Sequence, residues 1–263
     1  MSRNAVSTNG RYTKKKNQDA LKRTLAALRE FDGALLANTV GYIDPTPAHE
    51  CYMGGSIQPM TRMEGSTIGV AVTCEMDSSS PNQAAEVDGF WRQLDEIQAM
   101  GLPVIWVVKS IGPCPDHECV AGDGMGKALH ASGCVGIVTD GRVRDLKGLA
   151  GIPIPVFAKG ISIHHSPMRI PRINCPVEVG GITVRPGDIL HGSAEGVVRI
   201  PKTCLNKLAE AAIRMWGFER DAHAIFSRPD LTATQKKERV LEILAAYKFA
   251  GPGTPAKKRE GVN

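Results

Sequence analysis

The spacing of apolar residues changes along the chain, and the changes divide it into elements. Leu21, Leu25, Leu28 and Phe31 recur at helical spacing, which predicts a helix over about 18–31. Residues 41–66 (GYIDPTPAHECYMGGSIQPMTRMEGS) keep no period and are rich in turn formers. A loop this long inside a domain often carries function or covers a partner. STIGVAVTCEM predicts a strand near 67–75, and MDSSSPNQAAEVDGFWRQLDEIQAM a polar turn followed by a helix. Asn82 is the candidate cap of that helix, and Val87, Phe90, Trp91, Leu94 and Ile97 its apolar face.

GLPVIWVVK, CVGIVTD and IPVFAKG are continuous apolar runs that read as buried strands, and GDGMGKALHASG between the first two reads as a loop opening into a short helix. Apolar strand, helix, apolar strand is the outline of a βαβ unit in a sheet covered by helices. Beyond Pro167 the texture changes to CPVEVGGITVRPGDILHGSAEGVVRIP, short Val/Ile runs broken by GG, PGD and EG, which predicts a turn-rich β segment. Helical spacing returns from Leu205 to about Phe218 and again over Ala233 to Tyr247. The pattern is that of an α/β protein. Its body covers about 20–204, with a flexible basic leader at 1–19, a helical extension at 205–250 and a disordered tail at 251–263.

Charge sharpens that division. The net charge is +5, but residues 1–30 hold eight Lys or Arg against Asp19 and Glu30, so the leader carries +6 and the rest −1. The leader is either an acid-seeking arm or the solvated start of a helix. Without aromatic-basic tracts in the body, nucleic acid is not an expected partner. No apolar run approaches the roughly 20 residues that span a bilayer, and the first residues lack a signal-peptide core, so a soluble, cytoplasmic protein is expected. Seven scattered cysteines do not form a disulfide framework, and Cys114, His117 and Cys119 lack a second ligand pair at zinc spacing.

Two polar turns hold the candidate chemistry. Gly122-Asp123-Gly124-Met125-Gly126 opens a helix, and Asp140-Gly141-Arg142-Val143-Arg144-Asp145 closes the next strand. Amides at a helix start attract an anion, and glycines let it approach the backbone. Arg144 can grip a carboxylate through two parallel hydrogen bonds. Asp145 can hold a hard divalent cation that Asp123 shares through water, as magnesium is usually held. A 2-oxo acid would suit such a site, because an arginine and a cation both offset the charge of the enolate left when its C3–C4 bond breaks. The plain alternative is that Asp-Gly pairs make turns and Arg-Asp pairs make surface ion pairs. GDGMG has no GK[ST] ending and not the spacing of a nucleotide-binding loop.

The run GDGMGKALHASGCVGIVTDGRVRDLKGLAGIPIPVFAKG, followed by CPVEVGGITVRPGDILHGSAEGVVRIP, resembles the RraA-like family. That family includes class II pyruvate aldolases acting on 4-hydroxy-4-methyl-2-oxoglutarate and 4-carboxy-4-hydroxy-2-oxoadipate. The resemblance implies a compact sheet-and-helix sandwich related to the swivelling β/β/α domain, here with helical N- and C-terminal extensions. It implies a homotrimer or homohexamer with active sites between subunits. It implies a lyase using Mg2+ or Mn2+, releasing pyruvate through a metal-stabilised enolate, with oxaloacetate decarboxylation as a related activity. The family pattern is an acid or glycine, twenty residues, Arg-Asp, two residues and an acid. Asp123 takes the first place, Arg144 that of the arginine on the pyruvoyl carboxylate, and Asp145 that of the metal ligand. The backbone of Gly124, Met125 and Gly126 matches the segment holding the substrate's acid end.

The chain departs from the family at Gly148, which stands in the place of the last acid, and at DGALLANTVGYIDPTPAHECYMGG, where many members have Ser-Asp-Ala-Leu. His49 and Glu50 in that stretch are accessory candidates, as are Glu210 and Glu219, which could reach a neighbour's site. Some members instead inhibit a ribonuclease without catalysis, and a related metal-dependent enzyme acting on another hydroxy or oxo acid is a further alternative. His164, His165 and His191 form no HExxH pattern and read as loop, interface or core residues.

Overall fold

A computed structural model describes residues 6–165 and 167–249. The chain begins with α1 (Val6–Arg29) and α2 (Gly33–Val40), then a 3-10 turn at Ala48–Glu50, β1 (Gln58–Pro59) and the long strand β2 (Thr67–Asp77). Helices and strands then alternate through α3 (Asp88–Met100), β3 (Val104–Ser110), β4 (Cys119–Ala121), α4 (Asp123–Ala131) and β5 (Cys134–Thr139). β6 (Arg142–Val143), α5 (Leu146–Leu149), β7 (Val156–Ala158) and β8 (Gly160–Ile161) continue the alternation. β9 (Arg169–Ile173), β10 (Val177–Val179), β11 (Ile182–Val184), β12 (Ile189–Ser193) and β13 (Gly196–Ile200) precede α6 (Leu208–Phe226) and α7 (Ala233–Ala246).

The main sheet runs β1-β7-β5-β3-β2-β12-β13. β2, β3, β5 and β7 are parallel, as continuous apolar runs joined by helices require. β2 is long enough to take two antiparallel partners on one side, β12 along its start (Val70↔Ile189) and β9 along its end (Cys74↔Ile173). Alternation along each strand feeds two layers. Val72, Cys74, Met76, Trp106 and Val108 face α3 and α4, while Ile68, Val70 and Ile189 share a core with α1, α2 and α6. Ala71, Ile105, Val107 and Leu190 face the opposite way, onto the β10–β11 hairpin. Hairpin, sheet and helices are the three layers of a β/β/α sandwich, as expected. Among the described residues no helix is long and apolar enough to cross a membrane.

Several local expectations are corrected. The first helix starts at Val6, well inside the stretch expected to be a flexible leader, and residues 1–5 and the expected tail at 251–263 lie outside the described residues. Asn82 does not cap α3; it occupies a turn at φ 56, and the helix starts after Val87 with no side-chain cap. Trp91 points to solvent, because the buried stripe is Phe90, Gln93, Leu94 and Ile97. Periodicity passes over Gln93 because it is polar. Its amide donates to Thr73 O at 2.9 Å and accepts from Trp106 Nε1 at 2.8 Å, so both buried groups are satisfied. The helix expected over 205–218 spans Leu208–Phe226 and packs on α2 within a shared core. The 41–66 loop crosses the hairpin face from β13 (Met53 N to Val197 O, 2.9 Å) to β7 (Gln58↔Ala158).

His191 is fully buried in β12, donating from Nε2 to Phe31 O at 3.1 Å while Nδ1 has no partner among the described residues. Burial lowers its pKa from 6.5 to about 4, outweighing the opposing contact with Phe31 O and the charge of Asp32. The unfolded chain therefore binds a proton below about pH 6.5 that the folded chain refuses until about pH 4. Stability contributed by neutral His191 is complete above pH 6.5 and is lost as pH falls towards 4. A fall of about 2–3 kcal/mol across that window is expected. Urea titrations should show the fall in the parent chain and a flatter profile in His191→Gln; identical slopes would refute this origin.

Candidate active site

Two short strands build the site. β4 and β6 are parallel partners, with Ala121 opposite Val143, and Arg144 N donates to Ala121 O at 3.0 Å. The residues that leave these strands, Gly122-Asp123 and Arg144-Asp145, must therefore emerge side by side. The twenty residues between Asp123 and Arg144 are the path out through α4 and back through β5. The site thus lies at the carboxyl ends of the parallel strands, where open α/β sheets bind ligands.

Close approach is built into the backbone. A Cβ on Gly122 would lie 2.7 Å from Asp145 Oδ2 and 3.1 Å from Arg144 Nε, so a side chain there would displace both from this arrangement. Gly122 also leaves α4 without a side-chain cap, and the first amides of that helix have no helical acceptor. Gly124 has nothing within 4 Å of its Cβ position, so its face of the first turn is open. Gly126 lets α4 close on Ile152 and Leu149, and Met125 packs partly against the core. The Gly124–Gly126 segment thus supplies backbone at an open helix start, as an anion would need.

Asp145 has left-handed backbone (φ 57, ψ 42), which aspartate tolerates better than most residues. Its Oδ2 lies 3.2 Å from Arg144 Nε, with both side chains part-exposed. Asp123 pairs with Lys127 one helical turn on, at 2.6 Å. That contact, with the Gly124 amide and the Arg144 charge, holds the Asp123 carboxyl below its usual range against a smaller desolvation effect. Gly148 explains the departure in the motif. A Cβ there would lie 2.6 Å from Asp123 Cβ and 2.9 Å from its Oδ2. Positions 123 and 148 compete for one volume, so a side chain at 148 and this placement of Asp123 exclude one another.

The expected accessory residues do not join this group within one chain. His49 and Glu50 lie beside β13, where Glu50 O accepts from Arg199 at 2.8 Å, four strands across the sheet from β5. Glu210 pairs with Arg214 at 2.8 Å and Glu219 accepts from Asn38 at 3.0 Å, both on α6. His164 contacts Ser78 O at 3.2 Å, and His191 is a core residue. Sequence reasoning missed Lys127, although its i+4 spacing from Asp123 was a usable signal. It also missed Cys119, whose part-buried thiol is raised mainly by burial and feels the charges of both Arg144 and Asp145. Only its place opposite Arg142 in the β4–β6 ladder reveals that proximity.

Among the described residues no group of three His, Cys, Asp or Glu side chains could cage a metal ion. The two carboxylates, one strongly placed by its backbone and one nearby, fit instead a hard divalent cation that keeps most of its water.

The structure is a three-layer β/β/α sandwich that carries an Arg-Asp pair and an open helix start at the carboxyl edge of its sheet. The sequence profile of the RraA-like family (Aldolase/RraA) matches residues 44–199, and the chain belongs to that family. A candidate 4-hydroxy-4-methyl-2-oxoglutarate aldolase of Halalkalibacterium halodurans is 39% identical over 100 residues, 36% of this chain and 45% of that protein. The chain thus spans less than half the length of that relative. A protein given the same name in Albidiferax ferrireducens is 28% identical over 139 residues, 49% of this chain and 72% of that one. In fold, the chain is similar to RraAS2 of Streptomyces coelicolor, an unusual member of the RNase ES inhibitor RraA family, with TM-score 0.62, 20% identity, and 76% and 96% of the two chains covered.

Proposed function

We propose that the protein is a divalent-metal-dependent lyase that cleaves the C3–C4 bond of a 4-hydroxy-2-oxo acid and releases pyruvate, with oxaloacetate decarboxylation as a related activity. The observation that supports this most is the adjacency of Asp123, Arg144 and Asp145, imposed by the Ala121↔Val143 pairing. Arg144 receives the substrate's carboxylate and offsets the negative charge that grows on the 2-oxo group as the bond breaks. The first amides of α4 orient the same acid end. Asp145, with Asp123 nearby, holds the Mg2+ or Mn2+, which supplies Lewis-acid stabilisation of the enolate when bound. Asp123, kept ionised by Lys127, orients a water that accepts the proton of the 4-hydroxyl; C4 becomes a carbonyl, and C3 takes up a proton to complete pyruvate. In one chain the site is an open ledge, which suits completion by a neighbouring copy in a trimer or hexamer.

The test is pyruvate release, measured by a coupled assay with Mg2+ over a panel of 4-hydroxy-2-oxo acids and oxaloacetate. Turnover of at least one is expected, with the preferred member reporting the part of the substrate beyond its pyruvoyl end. No pyruvate from any member would overturn the reading.

A further inference from the structure

A cavity lies at the other end of the sheet. It has a volume of about 700 Å3 and is walled by α1, the 61–66 loop and the starts of the parallel strands. Each parallel strand runs from this end to the ledge at Arg144; six residues of β5 alone span roughly 20 Å. Asp123, Arg144 and Asp145 are not among the residues that line the cavity.

The floor is where the three cores meet. Leu25 and Ile68 belong to the core beneath α1 and α6, Ile152 and Ile154 to the one beneath α3 and α4, and Met63 and Val135 flank the hairpin core. Proline at 103, 153 and 155 ends the chain's approach to the strands without offering an N–H, so this part of the wall has little to give a polar ligand. The rim is different. Lys22, Arg29 and Arg62 stand around the opening against one acid, Glu64. Arg29 is fixed there by Nε donating to Ser66 O at 3.1 Å. Glu64 approaches Arg62 only to 4.0 Å in open solvent, which neutralises little.

An apolar floor beneath a cationic rim selects a molecule with an apolar body and one anionic end, and this volume is in the range of small-molecule pockets. We propose that this cavity binds an amphipathic organic anion, a fatty or aryl acid, independently of the 2-oxo acid site. The apolar body would lie against Ile68 and Ile152, with its acid between Lys22, Arg29 and Arg62. By spanning α1, the 61–66 loop and the sheet, such a ligand would also raise the unfolding temperature with concentration.

The test is titration of the full chain with 8-anilinonaphthalene-1-sulfonate, followed by competition with decanoate and with decanol. Saturable binding displaced by decanoate is expected, with decanol weaker by about ten-fold. The surface double variant Lys22→Gln/Arg62→Gln should weaken decanoate by about ten-fold. Ala26→Trp, on the exposed wall of α1, should fill the opening and abolish binding while pyruvate release and the unfolding temperature stay unchanged. Absence of saturable binding, equal affinity for decanoate and decanol, or indifference to both variants would each overturn the proposal. So would a change of assembly state in Ala26→Trp without any ligand effect, measured by light scattering, since that would mean a second copy covers the cavity.

Discussion

Arg144→Lys is expected to lower kcat/KM for pyruvate release by roughly 30- to 1,000-fold, and Arg142→Lys by only a few-fold, at saturating magnesium. Both changes keep the charge and remove the planar fork, so general electrostatics cannot separate them. Position can. Arg142 is turned towards the 115–116 loop, with its guanidinium 2.8 Å from Asp116 Oδ1 and 3.2 Å from Pro115 O. Arg144 lies on the ledge against Gly122, with Nε by Asp145 and its side chain 31% exposed, open enough to meet a ligand. Loss of a paired, charge-assisted contact to a reacting carboxylate costs about 2–4 kcal/mol. Loss of a rim ion pair costs about 1 kcal/mol or less. Two residues apart in an extended segment would share a face. What separates the two is what each side chain meets: Arg142 is held by the 115–116 loop, whereas Arg144 lies against Gly122 and Asp145. Equal and small losses in the two variants would end the case for Arg144 as the carboxylate grip.

The elements that sequence made legible are those long enough for a period to repeat. The apolar runs at β2, β3 and β5 could be little else than buried parallel strands, and the helix between β3 and β5 followed from its place between them. β4, β6 and β8 are two or three residues each, too short for any alternation to register, yet their pairing brings Gly122 to Arg144. The motif therefore named residues that the fold brings side by side without revealing why twenty positions separate them. β9 was unreadable for another reason. RIPRI carries its charges outward, where Arg172 and Arg169 pair with Glu75 and Asp77 of β2, so its pattern resembles a polar loop. His49 and Glu50 looked available because they were polar in a long loop. The loop crosses the opposite face of the sheet, and sequence distance gave no warning of it. Gly148 looked like a lost acid, but only the geometry reveals that Asp123 already fills its space.

Thorough chelation is expected to abolish pyruvate release, and Mg2+ or Mn2+ to restore it. The argument rests on the donor set at the ledge. A caged ion would need three or more protein ligands in one cluster, which the described residues do not provide. A hard, largely hydrated ion needs one well-placed carboxylate and a second within reach of its waters. Such an ion is held weakly enough for a chelator to remove it. Asp145 is the direct ligand on this reading, because its carboxylate lies beside Gly122 on the ledge and, among the described residues, its charge is shared only with the neighbouring Arg144. Asp145→Asn is the informative change. Asparagine accepts the same backbone conformation and nearly the same volume, so the turn should fold, while the charge is removed. Half-activation should then need about ten-fold more Mg2+ or higher, and turnover at saturating metal should fall by about 100-fold. Asp123→Asn should behave differently. Its partner Lys127 loses an ion pair at 2.6 Å and the water loses its base, so turnover should fall while the metal requirement stays near that of the parent. Asp123→Asn also keeps the side chain that fills the space over Gly148, which separates loss of charge from collapse of the ledge. If turnover survives chelation, or if the two aspartates respond alike to metal, the ion does not sit at Asp145, and Arg144 would be left to stabilise the developing charge alone.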